Sequence, residues 1–344
     1  MIGKRLIIFT ASSLLIVALC AVVSAAPPPG KAVGIGLYSG EWDSANHFYP
    51  FVMFDGANYK MYYTGSSRHQ SNESAWEQRM IGLAVSKDGS SWSTEGRMLP
   101  VLEPHRYMQG DVINPDDAAA EFDSIYATGP CVIKDGDVYK MWYTGWGGEV
   151  EHVGGGVENK INFRIGYAVS SDGINWTKHK GHVLDLGTRE KADAKGVGQP
   201  FVLKEGKTYR MWYEGFDGRA WRIFYATSEN GIEWMKQGVI PHIIGRNPVV
   251  VKRNGQYELW YQGQSVLPPI FRILRATSPD GLNWTKATGD VKLHPDSPFF
   301  GDISVDGIVV LPDNSCQVFF TIDGMPAAAG APARYIIYTE VVNP

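Results

Sequence analysis

Cysteine is scarce in this chain: Cys20, Cys131 and Cys316 are the only three among 344 residues. Cys131 and Cys316 sit far apart in apolar, strand-like runs. Both are expected as buried free thiols, and a disulfide-stapled fold is excluded. Positive charge is short as well. The formal charge is −4, and setting aside Lys4 and Arg5 at the start leaves 30 basic against 36 acidic residues, or −6. Nucleic acid and anionic membrane surfaces are therefore poor partners. Beyond residue 25 no stretch approaches the ~18 apolar residues of a membrane span, so no membrane partner is expected for the rest of the chain. Also missing are a P-loop, a nucleophile elbow, a Cys-x-x-Cys pair, a His-Glu-x-x-His helix and helical periodicity.

What is present begins with a leader. Lys4 and Arg5 precede an almost wholly apolar run over residues 6–23, and Val23, Ser24 and Ala25 form a small-residue cleavage site. Residues 1–25 are expected to be a signal peptide, which makes the protein secreted or periplasmic. Residues 26–344 are then a single domain. Its 11 Trp, 17 Tyr and 14 Phe can supply a large apolar core.

One phrase recurs: YKMYYTG at 59–65, YKMWYTG at 139–145, YRMWYEG at 209–215, YELWYQG at 257–263 and a degenerate CQVFFTI at 316–322. An apolar run ending in a turn precedes each copy, with Asp-Gly, Glu-Gly or Asn-Gly in the first four. Further on, the first four copies are followed by a second hairpin of the type SSDGINW (170–176). Strand–turn–strand signals on this period describe four-stranded meanders, strands A to D, repeated around an axis. The fold class is all-β: a five-bladed β-propeller. The chain stops before a fourth strand in blade five, so the N-terminal stretch 33–38 is expected to complete that blade and close the ring.

Alternation of strand direction brings the start of A, the end of B and the start of C to one face, together with the long connections 65–80, 96–129 and 145–164. Asp43, Asp123 and Asp193 each lie seven residues before the proline that opens strand A (Pro50, Pro130, Pro200). They read either as structural Asx-type turns or as carboxylates gathered round the axis, of which glycoside hydrolysis needs two. Glu214 breaks the repeat, since Thr64, Thr144, Gln262 and Thr321 hold its place elsewhere. It is a pocket carboxylate or a partner of Arg222. Arg164, Arg222 and Arg272 open strand C in blades two to four, as inter-blade ion pairs or as binders of an acidic or hydroxyl-rich ligand. Trp146 and Trp221 lie in B–C loops, where an indole stacks on a sugar or packs on the next blade. His47, Asn247 and Asp302 sit near strand A starts. They lack metal-ligand spacing, so no cofactor is expected and a structural calcium has no support.

The phrase VIKDGDVYKMWYTG (132–145), followed by IGYAVSSDGINWT (165–177), resembles the five-bladed arabinanase/levansucrase/invertase group, which includes glycoside hydrolase families 43 and 32. Trp42-Asp43-Ser44 is similar to the first-blade motif of levansucrases, whose aspartate is the nucleophile. The resemblance implies a glycosidase acting on oligo- or polysaccharide, with Asp43 as base or nucleophile, Asp123 as orienting residue and Glu214 as acid; a monomer is expected. In that group the carboxylates lie close before the strand A proline. Here those places hold Phe48 and Tyr49, Thr128 and Gly129, and Gly198 and Gln199. A non-catalytic sugar-binding propeller is the alternative. A glycoside phosphorylase using the arginines for phosphate is a third reading.

Overall fold

The computed structural model describes residues 31–32, 42–43, 46–70, 75–99, 121–124, 126–147, 150–153, 156–159, 162–188, 191–264, 271–289, 291, 303–324 and 334–342. The expected strand at 33–38 and Asp302 lie outside them. Among the described residues there is no helix, hence none long and apolar enough to cross a membrane.

The strands form the expected meanders. Blade one runs Asn46–Phe54, Tyr59–Gln70, Ala75–Ser86 and Ser93–Leu99. Blade two runs Tyr126–Asp135, Val138–Trp146, Arg164–Ser170 and Thr177–Lys178. Blade three runs Gly196–Glu205, Thr208–Phe216, Trp221–Ser228 and Met235–Ile244, and blade four Arg246–Arg253, Gln256–Gln264, Phe271–Ser278 and Thr285–Lys286. Blade five has Ile303–Val310, Cys316–Gly324 and Arg334–Val342, and Lys31–Ala32 pairs antiparallel with the last of these. The N-terminal part of the chain thus pairs with the last strand of blade five at the two described residues next to the stretch where that was expected. Strand B is apolar on both faces because a neighbouring blade covers each side: Met141, Trp142 and Tyr143 are fully buried, as are Met211, Trp212 and Tyr213. Cys131 and Cys316 are buried free thiols, as expected, and burial pushes the Cys131 thiol up to about 12.

Two hydrogen bonds recur between neighbouring blades and explain most of the repeat. On one face, the strand B aromatic donates to the glycine carbonyl of the next blade's C–D turn. Tyr62 Oη bonds Gly173 O (2.9 Å), Trp142 Nε1 bonds Gly231 O (2.7 Å) and Trp212 Nε1 bonds Gly281 O (3.1 Å). From blade five, Gln317 Nε2 reaches Gly89 O of blade one (3.4 Å). Among the described residues blade five offers no such turn to blade four, and Trp260 Nε1 is buried without a partner.

On the other face the bond runs from backbone to side chain. The N–H of a bulged strand A residue donates to the residue near the end of the preceding blade's strand B: Gly129 to Thr64 Oγ1 (3.0 Å), Gln199 to Thr144 Oγ1 (2.8 Å), Asn247 to Glu214 Oε2 (3.2 Å) and Tyr49 to Thr321 Oγ1 (3.1 Å). Thr needs only its hydroxyl for this latch. Glu214 performs it with one carboxylate oxygen.

Candidate active site

Each strand A carries one extra residue against its strand B partner, a β-bulge between Phe48 and Phe51, Thr128 and Cys131, Gly198 and Phe201, Arg246 and Val249, and Val305 and Gly307. Bulges re-aim side chains. In four blades the residue before the bulge proline is left-handed: Tyr49 (φ 52°), Gly129 (57°), Gln199 (45°) and Asn247 (52°). Non-glycine residues hold such angles at a cost of about 1–3 kcal/mol, and the latches above keep them there. In blade five the extra residue is Asp306.

These five residues converge. Tyr49, Gly129, Gln199, Asn247 and Asp306 all line a narrow axial hollow of about 20 Å³. Beside it opens a polar cavity of about 240 Å³, lined by Phe48, Tyr49, Arg79, Arg246, Asn247, Gln262, Ser304 and Thr321. Tyr49 and Asn247 belong to both. The missing side chain of Gly129 is used: a Cβ there would stand 2.1 Å from Gln199 Oε1, so the blade-three amide lies over the blade-two bulge.

Two buried carboxyls stand next to this site: Asp306 lines the axial hollow, and Glu214 accepts the N–H of Asn247, which lines both spaces. Glu214 is buried, and burial pushes its pKa up to about 7 against the opposing pull of Arg246 and the Asn247 N–H. Burial also raises Asp306 to about 7, opposed by hydrogen bonds from Thr321 and Ser304 and by Arg246. Thr321 Oγ1 donates to Asp306 Oδ2 at 2.6 Å and Ser304 Oγ at 3.0 Å. Arg246 in turn bonds Gln262 Oε1. Burial likewise raises the Tyr49 phenol to about 12, with Arg246 and Arg79 pulling down and Glu214 and Asp306 pushing up. Tyr49, Arg79, Glu214, Arg246 and Asp306 thus form one electrostatic group.

The repeated aspartates lie elsewhere. Asp43, Asp123 and Asp193 are buried, yet none lines the cavity or the axial hollow. Each Oδ2 accepts from the strand B tyrosine of its own blade: Tyr63 (2.9 Å), Tyr143 (2.8 Å) and Tyr213 (3.3 Å). Lys178 also bonds Asp123 and Lys236 bonds Asp193, both at 2.7 Å, and His47 Nε2 stands 3.2 Å from Asp43. Their Cβ atoms press on Gly65, Gly145 and Gly215, where an added Cβ would come within 2.6–2.7 Å. A motif repeated in register is here a strut fixing each entering chain to strand B. Asp43, Asp123 and Glu214 are not brought together in the lining of either space. Glu214 does not pair with Arg222, which bonds Asp217 at 2.7 Å, and Arg164 bonds Asp185 at 2.7 Å. Arg272 is exposed. Trp146 packs on Tyr126 and Trp221 stacks on Phe216. Of the expected binding residues, only Asn247 lines the cavity. Among the described residues no cluster of three or more His, Cys, Asp or Glu could hold a metal.

Asp306, Arg79, Arg246 and Tyr49 went unremarked as site residues in the chain's motifs. The signal for Asp306 was present: blade five alone breaks the X-Pro bulge pattern, with Asp306-Gly307 in its place.

Comparison with known proteins bears on the fold and on part of the chain. The family model of β-1,4-mannooligosaccharide phosphorylases matches residues 152–302, a span that includes Glu214, Arg246 and Asn247 and stops short of Asp306. An uncharacterized protein of Mycobacterium tuberculosis (strain ATCC 25618 / H37Rv) is 29% identical over 264 residues, 71% of this chain and 77% of that one. A 1,2-β-oligomannan phosphorylase of Thermoanaerobacter sp. (strain X514) is 31% identical over 130 residues, 31% of this chain and 43% of that protein. Among solved structures, a family 117 glycoside hydrolase of the marine bacterium Zobellia galactanivorans superposes with a TM-score of 0.66 at 12% identity, covering 91% of this chain and 89% of that one. The fold is that of the five-bladed propeller glycosidases.

Proposed function

We propose that this protein cleaves the glycosidic bond of a short β-mannoside-type oligosaccharide by hydrolysis at the axial cavity, with Glu214 as proton donor and Asp306 as the carboxylate that activates water. One observation carries the reading: Asp306 lines the axial hollow beside the polar cavity, Glu214 holds the N–H of the cavity residue Asn247, and both carboxyls are raised to about 7 within reach of Arg246. Acid and base groups that exchange protons near neutral pH are what glycoside hydrolysis requires. Asp306 accepts from two hydroxyls, which favours its ionised form, whereas Glu214 accepts a single backbone N–H. We assign the ionised role to Asp306 and the proton to Glu214. In the step, water loses a proton to Asp306 as its oxygen bonds the anomeric carbon. The bond to the leaving oxygen breaks, and Glu214 protonates that oxygen. The mannoside class is supported by the family match and the oligomannan phosphorylase. We place the reaction outside the cytoplasm, on the strength of the apolar leader.

A second reading follows from Arg79 and Arg246 on the cavity wall. Two guanidinium groups there suit a phosphate oxygen as attacking group, giving a sugar phosphate in place of the free sugar. The test separates them: the protein without its leader is incubated with β-1,2- and β-1,4-linked mannobiose and mannotriose, with and without inorganic phosphate. Release of mannose independent of phosphate, reduced at least 100-fold in Glu214→Gln and Asp306→Asn, is expected. A sugar phosphate formed only with phosphate present transfers the case to the second reading. Turnover unchanged in both variants refutes the assignment.

A further inference from the structure

Asn247 carries an observation that neither the latch nor the proposed chemistry uses. Its backbone is committed, with a left-handed φ of 52° and its N–H on Glu214 Oε2. Its side chain is not. The residue is 5% exposed, lines both hollows, and its carboxamide oxygen Oδ1 is buried with no hydrogen-bond partner among the described residues. A buried carbonyl without a donor is rare in folded proteins and disfavours the unliganded state. The fold does not ask for it. At the sibling bulges, Gly129 has no side chain and Gln199 lies over Gly129. Glycine would serve the left-handed backbone of residue 247 at lower cost. The carboxamide is therefore retained for something that enters the cavity.

We propose that Asn247 Oδ1 accepts a hydrogen bond from one hydroxyl of the bound sugar and is a specificity-determining residue. The inference rests on the reading that the cavity takes a sugar, and it adds a chemical demand: one ring position must present a donor. A deoxy or methoxy substituent there leaves Oδ1 orphaned with water excluded, and sites built to bond a hydroxyl reject analogues lacking it far more strongly than they reject a change of size. Tyr49, Gln262 and Arg246 line the same cavity.

The test is binding, measured by calorimetry in an Asp306→Asn background, so that turnover does not interfere. Probes are β-1,2- and β-1,4-mannobiose and their monodeoxy series. With Asn247 present, one deoxy analogue is expected to bind about 10- to 100-fold more weakly than its parent, the range for an orphaned buried acceptor. Asn247→Gly, which keeps the left-handed backbone, should bind parent and analogue alike. Asn247→Asp keeps an acceptor and should keep the preference. An Asn247→Gly protein with the same preference as its parent overturns the role of Asn247 alone. If no disaccharide binds while Asn247 is intact, the sugar reading itself fails, and this inference with it.

Discussion

At the scale of single residues, the chemistry turns on a substitution within a structural position. Thr64, Thr144 and Thr321 show what the place near the end of strand B is for: an oxygen that accepts the next blade's bulge N–H. Glu214 meets that need and adds an ionisable group in a site that penalises charge. The consequence for stability has a definite sign. Its pKa is about 7 folded and near 4.5 unfolded, so between those values the folded state holds a proton that the unfolded state has released. Stability from this group is full below about pH 4.5 and is lost as pH rises toward 7, with a slope of at most about 1.4 kcal/mol per pH unit. Urea unfolding of wild type and Glu214→Gln at pH 5, 6 and 7 checks this. The wild-type advantage should shrink as pH rises, and a constant difference would remove the buried, proton-holding Glu214 from the account.

At the scale of elements, the propeller was legible because each repeated residue serves a repeated contact. The C–D turn, Asp-Gly or Asn-Gly followed three residues later by Trp, is one example. Gly231 sits at φ +80°, its carbonyl takes the Trp142 indole, and an added Cβ would stand 2.8 Å from Trp142 Cζ2. The same logic hid the site. Repetition marked Asp43, Asp123 and Asp193, and repetition turned out to mean struts on tyrosine, while the cavity is built from bulges that sequence spacing does not display. Glu214 was visible only because it departed from its siblings, and Asp306 was masked by the degeneracy of blade five. The latch itself can be tested at a blade without a carboxylate. Thr144→Val keeps shape and removes the acceptor of the Gln199 N–H, and a buried orphan donor costs about 1–3 kcal/mol. A melt should show that loss, with Thr144→Ser close to wild type. Equal stability of the valine variant would show that the 2.8 Å contact contributes nothing.

At the scale of the whole molecule, the first and last blades meet through the group proposed to activate water. Tyr49 N–H donates to Thr321 Oγ1, 272 positions away, and the same hydroxyl donates to Asp306 Oδ2. The seam between chain ends and the ionisation of Asp306 therefore share one side chain. Thr321→Val should do two things at once. It orphans the Tyr49 N–H, destabilising the fold by about 1–3 kcal/mol, as at Thr144. It also strips the Asp306 carboxylate of a donor, and a hydrogen bond to the charged form is what holds a carboxyl pKa down. The pKa of Asp306, already raised by burial, must then rise further. Because the base works ionised, the acidic limb of the pH–rate profile should move to higher pH in Thr321→Val and stay in place in Thr144→Val, although both lose a latch. Stability alone cannot produce that contrast, since the two variants are matched in chemistry and in burial. Acidic limbs that coincide in the two variants would detach Asp306 from catalysis and leave the seam as architecture only.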